Sequence, residues 1–261
     1  MIEVISLVNF DNPERARYLE RSFGSFYRYY SPDSVKHWVL DSSRALDTQS
    51  PYYKQYGIQV VHVPGLSYGD RLKRAADLVT ESHFLFLPDD FQWIFNFPFK
   101  EAIMASEHSG IAELKLTCRG MPWFAQPGAP PEPWFHHENG RVRVMSGELL
   151  ACEGNMHVSR RRWIRNFHEQ FSLACNLFES DFARWVFRRI SSRARSPGEA
   201  EKQAYVRLLI KRYATGYYKM WIPAFHFIDL KVEGDRNKNK EKAATMLVEA
   251  NFETYNKHYN I

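Results

Sequence analysis

Cysteine is scarce in this chain of 261 residues: there are three, Cys118, Cys152 and Cys175. They are odd in number, widely spaced and form no Cys-x-x-Cys pair, which excludes a disulfide framework and a thiolate zinc site and suits a reducing cytosol. Long apolar runs are also missing, and none approaches the ~20 residues needed to span a bilayer. The opening Met1-Ile2-Glu3-Val4-Ile5 has neither the basic region nor the cleavage site of a secretory leader, so the expected location is cytoplasmic. Val8-Asn9-Phe10-Asp11-Asn12 contains no glycine, which counts against a nucleotidyltransferase with a glycine-rich phosphate loop. Charge of one sign is not concentrated either. The net charge is +5, the basic residues are scattered and no reading motif is present, which counts against a nucleic-acid-binding module. A mild excess still suits anionic partners: nucleotides, phosphorylated acceptors, or peripheral contact with the inner face of a membrane.

Aromatic residues are plentiful, at 15% of the chain, and supply a sizeable core. The most informative stretch is His83 to Phe91, His-Phe-Leu-Phe-Leu-Pro-Asp-Asp-Phe. Four large apolar residues, Phe84 to Leu87, predict a strand buried on both faces, and Pro88 ends it because it cannot donate to a sheet ladder. Asp89 and Asp90 follow at once. Adjacent carboxylates at the mouth of an apolar strand repel each other. They either open a solvated turn or share a hard cation such as Mg²⁺ or Mn²⁺, typically held by one or two carboxylates plus substrate phosphates.

The residues before this stretch alternate between strand and helix. Glu3–Phe10, His37–Leu40 and Ile58–Val63 predict strands. A helix capped by Asp11 or Asn12 carries Ala16, Leu19, Phe23, Phe26 and Tyr30 at helical spacing. A second helix starts on a Ser67/Asp70 capping box and buries Leu72, Ala75, Ala76 and Val79. Such alternation predicts a parallel α/β sheet, whose ligands bind at the carboxyl ends of the strands. Asp41 and Asp89-Asp90 lie at two such ends and are expected to converge on one ligand.

Further on, the sequence predicts a helix over Lys100–Ser109, a strand over Ile111–Cys118, a hairpin turn at Asn139-Gly140 and a strand over Glu148–Val158. A basic helix is expected from Ser159. Phe178, Phe182, Trp185, Val186 and Arg189 are expected on one face of a helix beginning near Glu179. A helix over Glu199–Ala214 is expected to close at Gly216, followed by a strand over Tyr218–Asp229 and a last helix over Ala243–Tyr255. Trp123, Trp134 and Phe135 form either a sugar-stacking surface or a cluster pinning a proline-rich loop. Arg160-Arg161-Arg162, Arg188-Arg189, Arg193 and Arg195 form either solvated faces or a site for an anionic acceptor. No linker separates two cores, so a single domain over 1–261 is expected.

In order and spacing, several of these segments together resemble the GT-A glycosyltransferases, in particular the inverting family 2 and its relatives. They are Val4-Ile5-Ser6-Leu7-Val8-Asn9, Val39-Leu40-Asp41-Ser42-Ser43, Tyr68-Gly69-Asp70-Arg71-Leu72-Lys73-Arg74-Ala75 and Phe84 to Asp90, then Phe178-Glu179-Ser180-Asp181-Phe182 with Arg184, and Gly216 to Pro223. The resemblance implies a mostly parallel nucleotide-binding sheet over residues 1–99, a smaller mixed acceptor-side sheet over 100–233 and a tail over 234–261. It implies transfer of a sugar from a nucleotide-sugar to a hydroxyl of a glycan, lipid-linked or other acceptor, with Mn²⁺ or Mg²⁺. By position, Asn9, Asp41, Arg71 and Asp89 would contact the donor, Asp89, Asp90 and His226 the metal, and Glu179 or Asp181 would be the catalytic base. The bare sequence also allows plainer roles: a helix cap for Glu179 and Asp181, a core residue for His226, and a solvated helix-face arginine for Arg71.

Overall fold

The computed structural model describes residues 1–11, 13–45, 50–93, 96–116, 142–145, 149–153, 171–208, 214–218 and 224–226. Strands β1 (Ile2–Val8), β2 (Val35–Asp41), β3 (Gln59–His62) and β4 (His83–Phe86) pair in parallel, in the spatial order β3-β2-β1-β4. Helix α1 (Pro13–Tyr27) follows β1, α2 (Ser50–Gln55) follows β2 and α3 (Tyr68–Leu78) follows β3. The sheet continues through β9 (Asn176–Glu179), β6 (Ile111–Lys115), β10 (Ala214–Tyr218), β8 (Leu149–Glu153) and β7 (Val142–Met145), making nine strands among the described residues. β9 and β8 run against the other seven, as their antiparallel pairings require. A separate two-stranded ribbon pairs β5 (Phe91–Trp93) with β11 (Ala224–His226).

Period-two alternation assigns the two faces of the central strands. Val4 and Val8 of β1 and Leu85 and Leu87 at β4 pack under α1 and α4 (Phe99–Ser109). Ile5, Leu7, Phe84 and Phe86 pack on the other face, against α3, α5 (Ser180–Phe187) and α6 (Pro197–Leu208). Each fully buried Leu or Phe contributes about 1.5–3 kcal/mol, so a strand enclosed on both faces anchors the fold. The expected stripes are present: Leu19, Phe23 and Phe26 on α1 with Tyr30 just after it, and Leu72, Ala75 and Ala76 on α3 with Val79 just after it, are all buried. Ser67 caps α3 by accepting from the Asp70 amide at 3.0 Å.

Several expectations need correction. Phe178 lies in β9, not on a helix face, and Glu179 ends that strand as the cap of α5. The helix from residue 199 does not run to Ala214. It is α6, ending at Leu208, and Gly216 sits inside β10. The late strand from Tyr218 is two strands, β10 and β11. The described hairpin joins β7 to β8 across residues 146–148, while the Asn139-Gly140 turn, Trp123, Trp134, Phe135, Arg160 to Arg162 and the helix over 243–255 lie outside the described residues.

Candidate active site

β1 lies between β2 and β4, so their carboxyl ends emerge side by side. The turn carrying Asp89 and Asp90 is fixed by buried polar contacts. The Leu87 amide donates to Ile5 O at 2.9 Å and the Ser6 hydroxyl to Leu87 O at 2.5 Å. Ser22 of α1 donates to Pro88 O at 3.1 Å, and Ser25 accepts from the Trp93 amide at 2.8 Å. Ser6 is itself held by His37 at 2.8 Å, and the other ring nitrogen of His37 meets the Tyr27 hydroxyl at 2.9 Å. Burial pushes the His37 imidazole down to about 3, so it is neutral and serves as a structural link. With the turn pinned this way, Asp89 is buried and Asp90 is half-buried.

Asp41 ends β2 with a fully enclosed carboxylate. One oxygen accepts from the Ser43 amide at 2.8 Å and the other from the Tyr53 hydroxyl of α2 at 2.7 Å. Asp41 therefore faces Tyr53 and its own turn. Tyr53 connects the two carboxyl ends: its phenol is raised by burial, then by the charge and hydrogen bond of Asp41, then by Asp89. Asn9, exposed just past β1, donates to Ser42 Oγ at 3.1 Å. Arg71 is buried and not solvated. Its Nη1 donates to Val8 O at 3.1 Å, and its guanidinium lies 5.2 Å from the Tyr68 ring centroid.

Tyr68, first residue of α3, is buried beside Arg71. Burial raises its phenol most; Arg71 opposes that, and the carboxylates of Glu201, Asp90 and Asp89 add to it. Glu201 is buried on α6 and accepts from the Leu173 amide at 2.7 Å. Sequence reasoning missed it, although a signal existed. Glu201 shares a helix face with Ala204 and Tyr205, an acid embedded in an apolar stripe. Beside it on β6, burial pushes the Glu113 carboxyl up to about 8, with Lys115 opposing and Glu201 adding. Asn176 donates to Glu113 at 2.8 Å. The buried Cys175 thiol is raised by burial and by Asp90.

Glu179 and Asp181 are not part of this cluster. β9 runs antiparallel to β4, and Glu179 pairs with His83, the first residue of β4, at the opposite rim from Asp89. Both Glu179 oxygens cap α5, accepting from the Asp181 amide at 3.0 Å and the Phe182 amide at 2.6 Å. Asp181 is exposed and pairs with Arg184 at 2.9 Å. The expectation that either is the base is corrected: the order of the strands carries them to the far end of the sheet. That rim also holds a cavity of about 430 Å³ lined by His83, Glu107, Glu179, Asp181 and Arg184, so concavity alone does not mark the site.

The backbone of His226 pairs with Phe91, the residue after Asp90. Among the described residues no three His, Cys, Asp or Glu side chains stand close enough to cage an ion. Two adjacent carboxylates, one buried and one half-buried, are hard oxygen donors of the type that suits Mg²⁺ or Mn²⁺ completed by phosphate oxygens. Of the arginines, Arg188 pairs with Asp77 at 2.9 Å and Arg189 lies 4.2 Å from the Trp185 ring centroid, which favours the solvated-face reading for both.

A parallel sheet in the order β3-β2-β1-β4 with an antiparallel strand beside β4 gives the chain a GT-A fold. The solved structure of S. aureus TarS residues 1–349 superimposes with a TM-score of 0.52 at 13% identity, covering 83% of this chain and 60% of that one. The same TarS fragment in complex with UDP gives 0.51 at 13% identity, covering 82% and 57%. Against the longer TarS structure the chain covers 36% of its length, with a TM-score of 0.51 at 13% identity. No family model and no curated protein sequence matches the chain.

Proposed function

We propose that this protein transfers a sugar from a nucleoside-diphosphate sugar to an acceptor hydroxyl, by a single displacement with inversion. The observation that carries the reading is positional: Asp41 ends β2 and Asp89 and Asp90 follow β4, on either side of the end of β1, where Arg71 donates to Val8 O, and Glu201 is bonded to the segment that enters β9 beside Phe86. TarS, which shares the fold, has been solved with UDP and with UDP-GlcNAc.

In this reading Asp89 and Asp90 hold a divalent cation, with His226 as a further ligand. The bound ion supplies neutralising charge for the departing diphosphate. Asn9 and Arg71 face the donor, and Asp41 supports the nucleoside end through Tyr53 and the Ser43 turn. Glu201 takes the place first given to Glu179 and Asp181. It removes the proton from the acceptor hydroxyl as the new bond to the anomeric carbon forms. The old carbon–oxygen bond breaks, and its electron pair leaves on the diphosphate. A positioned base of this kind contributes about 10²–10⁴ in rate. The acceptor belongs to the glycan, lipid-linked or other hydroxyl class. Among the described residues no helix is long and apolar enough to cross a membrane.

The test is thermal stability with UDP, GDP and their sugar conjugates, with and without Mn²⁺, beside a short oligonucleotide. A ligand at about 100 times its Kd stabilises by roughly 2.7 kcal/mol. Metal-dependent stabilisation by a diphosphate supports the proposal; stabilisation by the oligonucleotide alone overturns it.

A further inference from the structure

We propose that the Tyr68 hydroxyl donates a hydrogen bond to an oxygen of the leaving diphosphate, making Tyr68 a substrate-contacting residue. The inference rests on the function proposed above. It starts from a mismatch between how firmly Tyr68 is held and what its hydroxyl does.

The first turn of α3 is tied down on several sides. Ser67 caps it, and the Gly69 amide donates to Ala194 O at 3.0 Å. A Cβ at Gly69 would collide with Ser191 O, so only glycine lets this turn dock on the loop between α5 and α6. Asp70 accepts from Lys73 at 3.0 Å and from Ser192 at 2.6 Å, tying the same turn to the same loop. The Tyr68 ring packs beside Leu72 with the Arg71 guanidinium over it. Yet among the described residues its hydroxyl has no hydrogen-bond partner, while Tyr53, Tyr27 and Tyr30 each have one.

A phenylalanine would pack the same space without a polar group to satisfy. The hydroxyl is explained by a group that arrives with the ligand. A phenol holds its proton at neutral pH and so acts as a donor. Its complement is therefore an acceptor. The Arg71 guanidinium over its ring reaches Val8 O at the carboxyl end of β1, between the ends of β2 and β4, where the ion and the pyrophosphate would meet, so that acceptor is a phosphate oxygen. As the sugar departs the oxygen gains charge, so the bond strengthens toward the transition state.

The test is the Tyr68→Phe variant, titrated calorimetrically with UDP and GDP in the presence of MnCl₂, and with uridine and guanosine alone. A hydrogen bond to a charged oxygen corresponds to a loss of roughly 10–100-fold in diphosphate affinity. Nucleoside affinity and melting temperature are expected to stay at wild-type values. Packing alone predicts that diphosphate affinity stays the same, or falls in step with nucleoside affinity and stability; either result overturns the assignment. If wild-type protein binds neither diphosphate with Mn²⁺, the function itself fails, and the Tyr68 contact with it. If the wild type binds and the variant matches it, only the Tyr68 contact fails.

Discussion

The two rims of the central sheet are both rich in acids, but they use them differently. At the carboxyl rim Asp41, Asp89 and Glu201 are buried and come from three separate segments, with Asp41 accepting from the Tyr53 hydroxyl and Glu201 from the Leu173 amide. At the amino rim Glu179, Asp181 and Glu3 each have a structural task. Glu179 caps α5, Asp181 pairs with Arg184, and Glu3 accepts from the Thr80 and Glu81 amides and from Lys36. Burial would raise the Glu3 carboxyl, but those amides and Lys36 hold it below its ordinary value. Acid content does not separate a site from a scaffold. What separates them is whether acids from different elements are brought, buried, to one place or are each committed to a local cap or ion pair.

The largest effect that would sharpen this contrast is expected from Asp90→Ala. Transfer should fall by more than about 10²-fold, with loss of metal-dependent donor binding and an unchanged circular-dichroism spectrum. Activity close to wild type would remove the metal assignment. Next is Glu201→Gln, which keeps an oxygen for the Leu173 amide but cannot take a proton. Its kcat should drop about 10²–10⁴-fold with donor affinity preserved. Glu179→Ala is expected to cost about 1 kcal/mol in urea unfolding, as loss of a helix cap does, and to leave kcat unchanged. A kcat collapse there would return the base to the amino rim.

The smallest effect concerns His37. Its folded-state value is depressed to about 3, whereas in the unfolded chain it titrates near 6.5. Between those values the unfolded chain binds more protons, so stability present above pH 6.5 is lost as pH falls toward 3. His37→Gln should flatten the dependence of Tm on pH over that window; an unaltered slope would show that other groups set it.

The parallel half was legible because its elements are long and periodic. Phe84 to Leu87 could only be a strand enclosed on both faces, and the stripe through Leu72, Ala75 and Ala76 could only be a helix. The antiparallel part was not. β9 is four residues long, begins with a buried asparagine and runs straight into a helix, so a strand and a helix shared one apolar pattern at Phe178. Glu179 and Asp181 were matched by resemblance of sequence position alone, and the antiparallel pairing of β9 with β4 puts Glu179 beside His83 at the amino rim. Register, not residue type, decides which rim an acid occupies, and register follows from pairings remote in sequence. Tyr53 was missed for a related reason. α2 has six residues, too few for a helical period to stand out.

The most direct test of the central claim is calorimetric titration of UDP and GDP, with and without Mn²⁺, into wild type, Asp90→Ala and Glu179→Ala side by side. Wild type and Glu179→Ala are expected to bind one diphosphate in a Mn²⁺-dependent way, and Asp90→Ala is expected to lose that binding. Retention by Asp90→Ala together with loss in Glu179→Ala would place the donor at the opposite rim and contradict the account.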